Sequence, residues 1–513
     1  MTTVDGSTEP DRASVLGWVG RLGAPILAVA VYALLPGSDA GMSPAARATA
    51  AVAALMAVLW LTEGLPLAVT ALLPIVLFPL FGVLEIGKAA APYAHPFIFL
   101  FLGGFLIALA IERWNLHRRI ALLTVLAVGT RPARLVGGFM LATAFLSMWI
   151  SNTATTVMML PIGLSVIALV SERLGEAAGT REAAGPSGGA SGGAANFPVC
   201  LMLGIAYAAS IGGLGTLVGS PPNLILAGIA KDSFNVEITF AAWLSVGLPV
   251  AAVFLVLAWL WLVKVVYPIR IKAIPGGRKL IREELAKLGP MSRGEWSVLA
   301  VFVPTAIAWI VREPLSHWTW LAQRVPAVER VHDATIALAG AVLLFVIPAD
   351  ARRGQFVLDW KTATKVPWGV LLLFGGGLSL AAGFEQSGLS AWIGHQVAVF
   401  DQLPLVLLVL LTTGTILLLT ELTSNTATAN VFLPILGAAA LGLGLDPMVL
   451  LLPAGMAASC AFMMPVATPP NAIVFGSGHV RIGQMVKAGV WLNLIGLAVV
   501  TALTFLLRPW VLP

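Results

Sequence analysis

The chain has 513 residues, of which 58% are hydrophobic and 11% charged, with a net charge of +6 and a mean hydropathy of +0.94. Repeated apolar runs of about 20 residues match the hydrocarbon thickness of a bilayer, which excludes a soluble globular protein and makes this an all-α polytopic membrane protein. The basic excess lies in short segments between apolar runs, so it reports membrane topology and not nucleic-acid binding.

Residues 1–14 form a polar cytoplasmic tail that leads into a full-length span, with no signal-peptide pattern. Spans are expected near 15–36, 45–62, 64–84, 97–111, 197–229, 241–263, 295–312, 333–349, 367–383, 447–475 and 488–507. These eleven crossings put the two termini on opposite sides. Most of the 30 Lys and Arg then fall on one side if the N-terminus is cytoplasmic and the C-terminus outside. The first span, within 15–44, has no counterpart in the repeat described below and reads as an accessory helix. Glu63 is expected at a cytoplasmic mouth. The basic segment Glu112 to Arg119 is expected to open an interfacial helix whose arginines form a solvated or lipid-facing stripe.

Two identical pentapeptides, Ser151-Asn152-Thr153-Ala154-Thr155 and Ser424-Asn425-Thr426-Ala427-Thr428, interrupt apolar stretches whose arms are too short for separate crossings. They predict the tips of two re-entrant hairpins, over 131–170 and 404–440. Irregular backbone at membrane depth survives only where it is buried in protein or lines a cavity. Ser, Asn and Thr are also good helix N-caps, and an exposed helix N-terminus attracts anions. Residues 172–196, rich in Gly, Ala and Ser, read as a flexible cytoplasmic loop. The span from Phe197 breaks between Gly212 and Asn223, where glycines and the Pro221-Pro222 pair free carbonyls to face a hard cation. Residues 264–294 link the halves and contain an amphipathic basic helix over 278–288. An external loop with Trp318 and Trp320 spans 313–332.

A shift of 273 residues superposes Gly103-Gly104 on Gly376-Gly377, Glu112 on Glu385, the first pentapeptide on the second and Pro161 on Pro434. Beyond the hairpins a shift of 248 lays Ser220-Pro221-Pro222-Asn223 on Thr468-Pro469-Pro470-Asn471, the loop 172–196 accounting for the difference. Two repeats, 45–263 and 295–513, of five crossings each must be inverted relative to one another. Charge agrees, since 113–134 holds five arginines and 386–407 holds neither Lys nor Arg.

These paired motifs, with the stretch Met464 to Gly476, resemble the divalent anion:sodium symporter family, the INDY-type dicarboxylate carriers. The resemblance covers nearly the whole chain, with the loop 172–196 as a departure. It implies a homodimer in which each protomer has a scaffold domain and a transport domain that moves elevator-fashion. It further implies one sodium site at Ser147, Ser151, Asn152 and the backbone near Gly219, and a second at Thr420, Ser424, Asn425 and the backbone near Ala467. Substrate carboxylates are implied to meet Asn152, Thr153, Asn425, Thr426, Ser220, Thr468 and the adjoining Pro221 and Pro469.

The residues support sodium coupling independently. Neither hairpin tip holds Lys or Arg, and helix N-termini contribute only about 0.3–1 kcal/mol each to holding an anion. Bound sodium ions, on hydroxyl, amide and carbonyl oxygens, can supply the remaining positive charge. The expectation is a sodium-coupled importer of C4-dicarboxylates such as succinate, malate and fumarate, in the cytoplasmic membrane, with sodium as coupling ion and no cofactor. A sodium-independent dicarboxylate exchanger and a sodium/sulfate symporter on the same fold are the alternatives. An enzyme is disfavoured, because His95, His117, His317, His332, His395 and His479 are scattered near span ends. Glu421, the acid nearest a tip, is read either as a hydrogen-bonded structural carboxyl or as a cation or proton sensor.

Overall fold

The protein is described by a computed structural model, covering residues 15–37, 41–129, 131–177, 192–269, 277–316, 318, 323–324, 330–400 and 402–507. The polar tail, Trp320 and most of the external loop, and the middle of the loop 172–196 lie outside the described residues.

The first half runs α1 (Val15–Leu34), α2 (Pro44–Thr62), α3 (Leu67–Thr70), α4 (Leu73–Leu80), α5 (Ile86–Ala90), α6 (Pro96–Arg113) and α7 (Leu116–Val128). It continues through α8 (Pro132–Ser147), α9 (Asn152–Ala177), α10 (Gly192–Gly213), α11 (Pro221–Phe234) and α12 (Phe240–Leu260). The amphipathic α13 (Gly277–Lys287) leads to α14 (Arg293–Ser316), α15 (Asp333–Val346), α16 (Trp360–Ala363), α17 (Trp368–Gln386) and α18 (Leu389–Val397). The chain ends with α19 (Leu405–Thr420), α20 (Asn425–Gly442), α21 (Met448–Ala457), α22 (Pro469–Gly476) and α23 (Ile482–Leu507). Pro348–Asp350 and Gln355–Phe356 form a small antiparallel ribbon that hydropathy does not signal.

Among the described residues, nine helices are long and apolar enough to cross a membrane, and five shorter apolar helices accompany them. The segment near 64–84 is divided into α3 and α4, because Pro66 and Pro74 each start a new helix. Helix pairs meet at both pentapeptides, α8 with α9 and α19 with α20, each turning within four residues; α9, at 26 residues, is longer than the short arm expected and is itself among the nine. Helix also enters both ends of the loop expected at 172–196, since α9 runs to Ala177 and α10 starts at Gly192.

Arg21, the one cation deep in the first expected span, donates from Nε to the Gly64 carbonyl and stacks over Trp18 at 5.1 Å. That carbonyl follows Glu63, which is exposed and ends α2 in the left-handed region at φ 50°. A cation on the exposed face of α1 thus meets a carbonyl in the turn after α2, which lowers the cost of placing it in an apolar helix.

The arginine segment departs from expectation. Arg119 on α7 is buried, its Nε 2.7 Å from Glu295 Oε1 on α14 and its Nη1 3.0 Å from the Gly289 carbonyl. Arg113 pairs with Asp359 at 2.7 Å. These cations tie the interfacial helix to the start of the second half, so they are not simply a solvated or lipid-facing stripe. The expectation failed because sequence gave no sign of acidic partners more than 170 residues away.

Helices approach closely at the matched glycines. A Cβ on Gly103 would stand 2.6 Å from the backbone of Ala337 on α15, and one on Gly376 would collide with the Ala71 carbonyl. Small residues there let helix backbones touch where a larger side chain would separate them. The main apolar core surrounds α10, α11 and α21, and a second cluster joins Trp60, Phe78 and Phe384 of α2, α4 and α17.

Candidate ion and anion site

Each hairpin tip meets the break of a discontinuous helix. The first break runs from the end of α10 at Gly213 to the start of α11 at Pro221. The second runs from Ala457 at the end of α21 to Pro469 at the start of α22, with a short turn over Pro465–Ala467. The second arm of each hairpin packs against the short half-helix of the other repeat, α9 on α22 and α20 on α11. The two breaks are also joined directly, by a 2.8 Å hydrogen bond between Ser220 Oγ and Ser459 Oγ.

At the first tip, Ser147 Oγ lies 2.6 Å from Asn152 Oδ1 and 2.7 Å from the Ala209 carbonyl oxygen. The Asn152 oxygen also faces the Ala209 and Gly219 carbonyls at 3.2 and 3.3 Å. A hydroxyl carries one hydrogen, so it can satisfy only one of two acceptors. With the amide oxygen on this side four oxygens converge with one proton among them, whereas the opposite orientation of Asn152 places its NH2 against all three partners. Such a cluster is relieved in two ways: the amide turns over so that its NH2 donates, or a cation draws the oxygens together.

The second tip repeats the arrangement. Thr420 Oγ1 lies 2.7 Å from Asn425 Oδ1 and 2.7 Å from the Ala458 carbonyl. One hydroxyl again lies within reach of two acceptors; Thr420 and Asn425 stand 273 residues beyond Ser147 and Asn152, and Ala458 stands 249 beyond Ala209. Steric room is specific to glycine at the first break, where a Cβ on Gly213 would stand 2.9 Å from Asn152 Oδ1 and one on Gly219 2.6 Å from the Gly213 carbonyl.

Ser147, Asn152 and Gly219 are thus brought together, as are Thr420 and Asn425. Ser151 instead accepts the Ala154 N–H at 3.3 Å. Among the described residues no hydrogen bond joins Ser424 or Ala467 to the second pair. Thr153 and Pro469 are exposed, whereas Thr426, Ser220 and Thr468 are buried. Thr468 caps α22 by accepting the Asn471 N–H at 3.3 Å. Asn152 and Asn425 are half-buried, each at the start of its helix.

Several contributors escaped sequence reasoning. The Ala209 and Ala458 carbonyls carry no side-chain signal. Ser459 corresponds to Ser210, the triplets Ala208-Ala209-Ser210 and Ala457-Ala458-Ser459 lying 249 residues apart. Glu421, buried beside the second tip, accepts the backbone N–H groups of Phe462, Met463 and Met464 at 2.6 to 3.1 Å. That geometry favours the structural carboxyl among the two readings of this residue. The first tip has Met148 at the matching position, and its carbonyl accepts Thr216 Oγ1 at 2.5 Å.

The oxygens face one another without a basic residue, since 147–156, 209–223, 420–430 and 457–471 contain no Lys, Arg or His. Among the described residues no cluster of His, Cys, Asp and Glu could hold a transition metal. The arrangement suits a hard monovalent cation and, at the neighbouring helix N-termini, an anion.

Comparison with known proteins identifies the family. The transmembrane region of the sodium:sulfate symporters matches residues 18–512. The sodium-dependent dicarboxylate transporter SdcS of Staphylococcus saprophyticus is 44% identical over 456 residues, 88% of this chain and 84% of that protein. SdcS of Staphylococcus aureus strain USA300 is 43% identical over 454 residues, with the same coverage. Two solved structures share the fold at low identity. The YdaH transporter of Alcanivorax borkumensis superposes with a TM-score of 0.56 at 15% identity, over 97% of this chain and 99% of that one. MtrF of Neisseria gonorrhoeae gives 0.52 at 11%, over 95% and 93%. With a family match over nearly its whole length and relatives above 40% identity, this chain is a membrane transporter of the sodium:sulfate symporter family.

Proposed function

We propose that the protein is a sodium-coupled symporter that imports C4-dicarboxylates. The observation that carries this is the pair of oxygen-rich clusters without a basic side chain, Ser147 and Asn152 with the Ala209 carbonyl and Thr420 and Asn425 with the Ala458 carbonyl, one at each tip. Sodium ions would take that place, with Ser147, Ser151, Asn152, Gly219 and the Ala209 carbonyl around one ion. Thr420, Ser424, Asn425, Ala467 and the Ala458 carbonyl would surround the other. The names of the Staphylococcus relatives support dicarboxylate as the anion.

The anion's carboxylates would lie between the tips, on Asn152, Thr153, Asn425 and Thr426, flanked by Ser220, Pro221, Thr468 and Pro469. Of the two hydrogens in the Ser220–Ser459 pair, one lies between the oxygens and the other is free to donate to a carboxylate. With no basic side chain at the site, the bound sodium ions balance the dianion, so ion and anion must bind together.

On this reading the chain has eleven crossings and two hairpins in inverted five-helix repeats, and works as a homodimer. Its N-terminus is cytoplasmic and its C-terminus outside. The transport domain, carrying hairpins and broken helices, moves elevator-fashion against the scaffold. If more than two sodium ions accompany each dianion, net charge moves, worth about 2.3 kcal/mol per charge per 100 mV.

Uptake of labelled succinate into proteoliposomes is the test. It should require sodium outside and fall when fumarate or malate competes. Uptake unchanged in choline or potassium would overturn sodium coupling. Sulfate, the anion in the family's description, is the second reading, and competition by sulfate but not by fumarate would favour it.

A further inference from the structure

We propose that Asn223 and Asn471 are positioning residues that hold the two helix breaks in the shape that binds sodium, an inference that rests on the function proposed above. Each is the third residue of its short half-helix, following a Pro-Pro pair, and each is fully buried. Asn223 Nδ2 donates to the Gly213 carbonyl at 2.8 Å and to the Thr216 carbonyl at 2.7 Å. Asn471 Nδ2 donates to the Ala461 and Met464 carbonyls, both at 3.1 Å. All three residues of one set match the other at the same 248-residue shift. Two braces of identical connectivity therefore sit in two segments whose surrounding sequences differ.

A helix that stops at membrane depth leaves its last carbonyls without intrahelical partners, and no water is at hand in the hydrocarbon to replace them. The proline pair that restarts the helix cannot donate either. One asparagine amide supplies two of the missing hydrogens, Asn223 tying the end of α10 at Gly213 to the loop at Thr216, and Asn471 tying together Ala461 and Met464 within the second break. Its orientation is set by those donors alone. Oδ1 of Asn223 and of Asn471 has no hydrogen-bond partner among the described residues, and a turned amide would press that oxygen against two carbonyls.

The brace acts on the ion site through glycine. Gly213, whose carbonyl Asn223 holds, is in contact with Gly219 and with the Asn152 amide, so that a Cβ on Gly213 would stand 2.9 Å from Asn152 Oδ1 and 3.1 Å from the Gly219 carbonyl oxygen. Releasing Gly213 would let the Gly219 carbonyl turn away from Asn152. Asn223 touches neither Asn152 nor Ser147 through a hydrogen bond, so its effect should appear as altered ion affinity.

The experiment measures sodium half-saturation and maximal rate of succinate uptake by full-length protein in proteoliposomes, at saturating succinate, for Asn223→Ala, Asn223→Ser and Asn471→Ala. Each alanine variant should raise the sodium half-saturation by about ten-fold, the equivalent of one net hydrogen bond. The maximal rate should recover at high sodium. Asn223→Ser, which keeps one donor, should fall between wild type and alanine. Melting of the purified variants with and without sodium gives a second measurement, in which the midpoint of stabilisation should move to higher sodium. An unchanged sodium half-saturation with a lowered maximal rate would overturn the proposal. So would loss of the fold that sodium does not restore, which would make both asparagines structural clips only. Wild-type protein that shows no response to sodium would remove the proposed function and this inference together, and is read separately from a failure confined to the variants.

Discussion

Glu421 Oε1 accepts a hydrogen bond from Asn493 Nδ2 on α23 at 2.7 Å, while the same carboxylate takes three consecutive backbone N–H groups of the second helix break. A carboxylate surrounded only by donors is satisfied without a cationic partner. Replacing it with an amide turns one acceptor oxygen into a donor that faces other donors. Glu421→Gln should therefore lower the melting temperature, by the equivalent of about 1–3 kcal/mol for each unpaired buried group. Any uptake that remains should keep the wild-type pH profile. A Glu421→Gln protein of full stability whose uptake no longer depends on pH would instead identify a proton sensor.

Asn152 and Asn425 each stand between an oxygen cluster and the start of a helix. Asn152→Ala or Asn425→Ala should weaken sodium and succinate binding together, each by about 1–3 kcal/mol, the range for a hydrogen bond to a charged group. Equilibrium binding of succinate across a sodium series checks this. Loss of succinate affinity with sodium affinity intact would rule out shared ligation.

The buried pair Arg119–Glu295 makes a different demand. Arg119→Ala leaves a carboxylate with 5% of its side chain exposed and no cation, which should cost about 3–5 kcal/mol. The double variant Arg119→Met with Glu295→Met should cost less than Arg119→Ala, because both charges leave together. Melting temperatures of the three proteins decide the point, and a double variant less stable than the single one would show that α7 depends on the charges themselves.

Acid should loosen the surface near α16. Asp359 accepts the Thr362 N–H and hydroxyl, each at 2.8 Å, and pairs with Arg113. The Thr362 backbone hydrogen bond, and then the Thr362 hydroxyl and Arg113, hold its carboxyl below the usual range. A lowered folded pKa contributes stability above the unfolded value of about 3.9 and loses it as pH falls through the folded value. Wild type and Asp359→Asn should therefore differ in melting temperature at neutral pH and converge below about pH 4. A difference that persists in acid would remove the carboxylate from this role.

Much of the architecture is written locally. Apolar runs of bilayer length define helices, a polar pentapeptide too near its flanking arms defines a hairpin tip, and a Pro-Pro pair with glycines defines a break. Each of these signals is a matter of a few neighbouring residues, so the hairpins α8–α9 and α19–α20 and the breaks after Gly213 and Ala457 follow from sequence. The family resemblance grouped Ser147 with Asn152 and Thr420 with Asn425, and each pair lies within hydrogen-bond reach.

What the chain order could not determine is which distant group completes each local element. Backbone oxygens such as those of Ala209 and Ala458 have no residue-type signature, and they face the tips only because hairpin and broken helix pack together. Arg119 looked like one of several interfacial arginines until packing set it against Glu295. Ser459 matches Ser210 in the first repeat, but only packing sets it against Ser220 and joins the two breaks. By itself, then, the sequence determined the elements, their pairing by repeat and the absence of basic charge at the tips, because these are local or periodic properties. Tertiary structure alone decided which backbone carbonyls close on each tip, Ala209 on Ser147 and Ala458 on Thr420, since that depends on atoms brought together from segments dozens of residues apart.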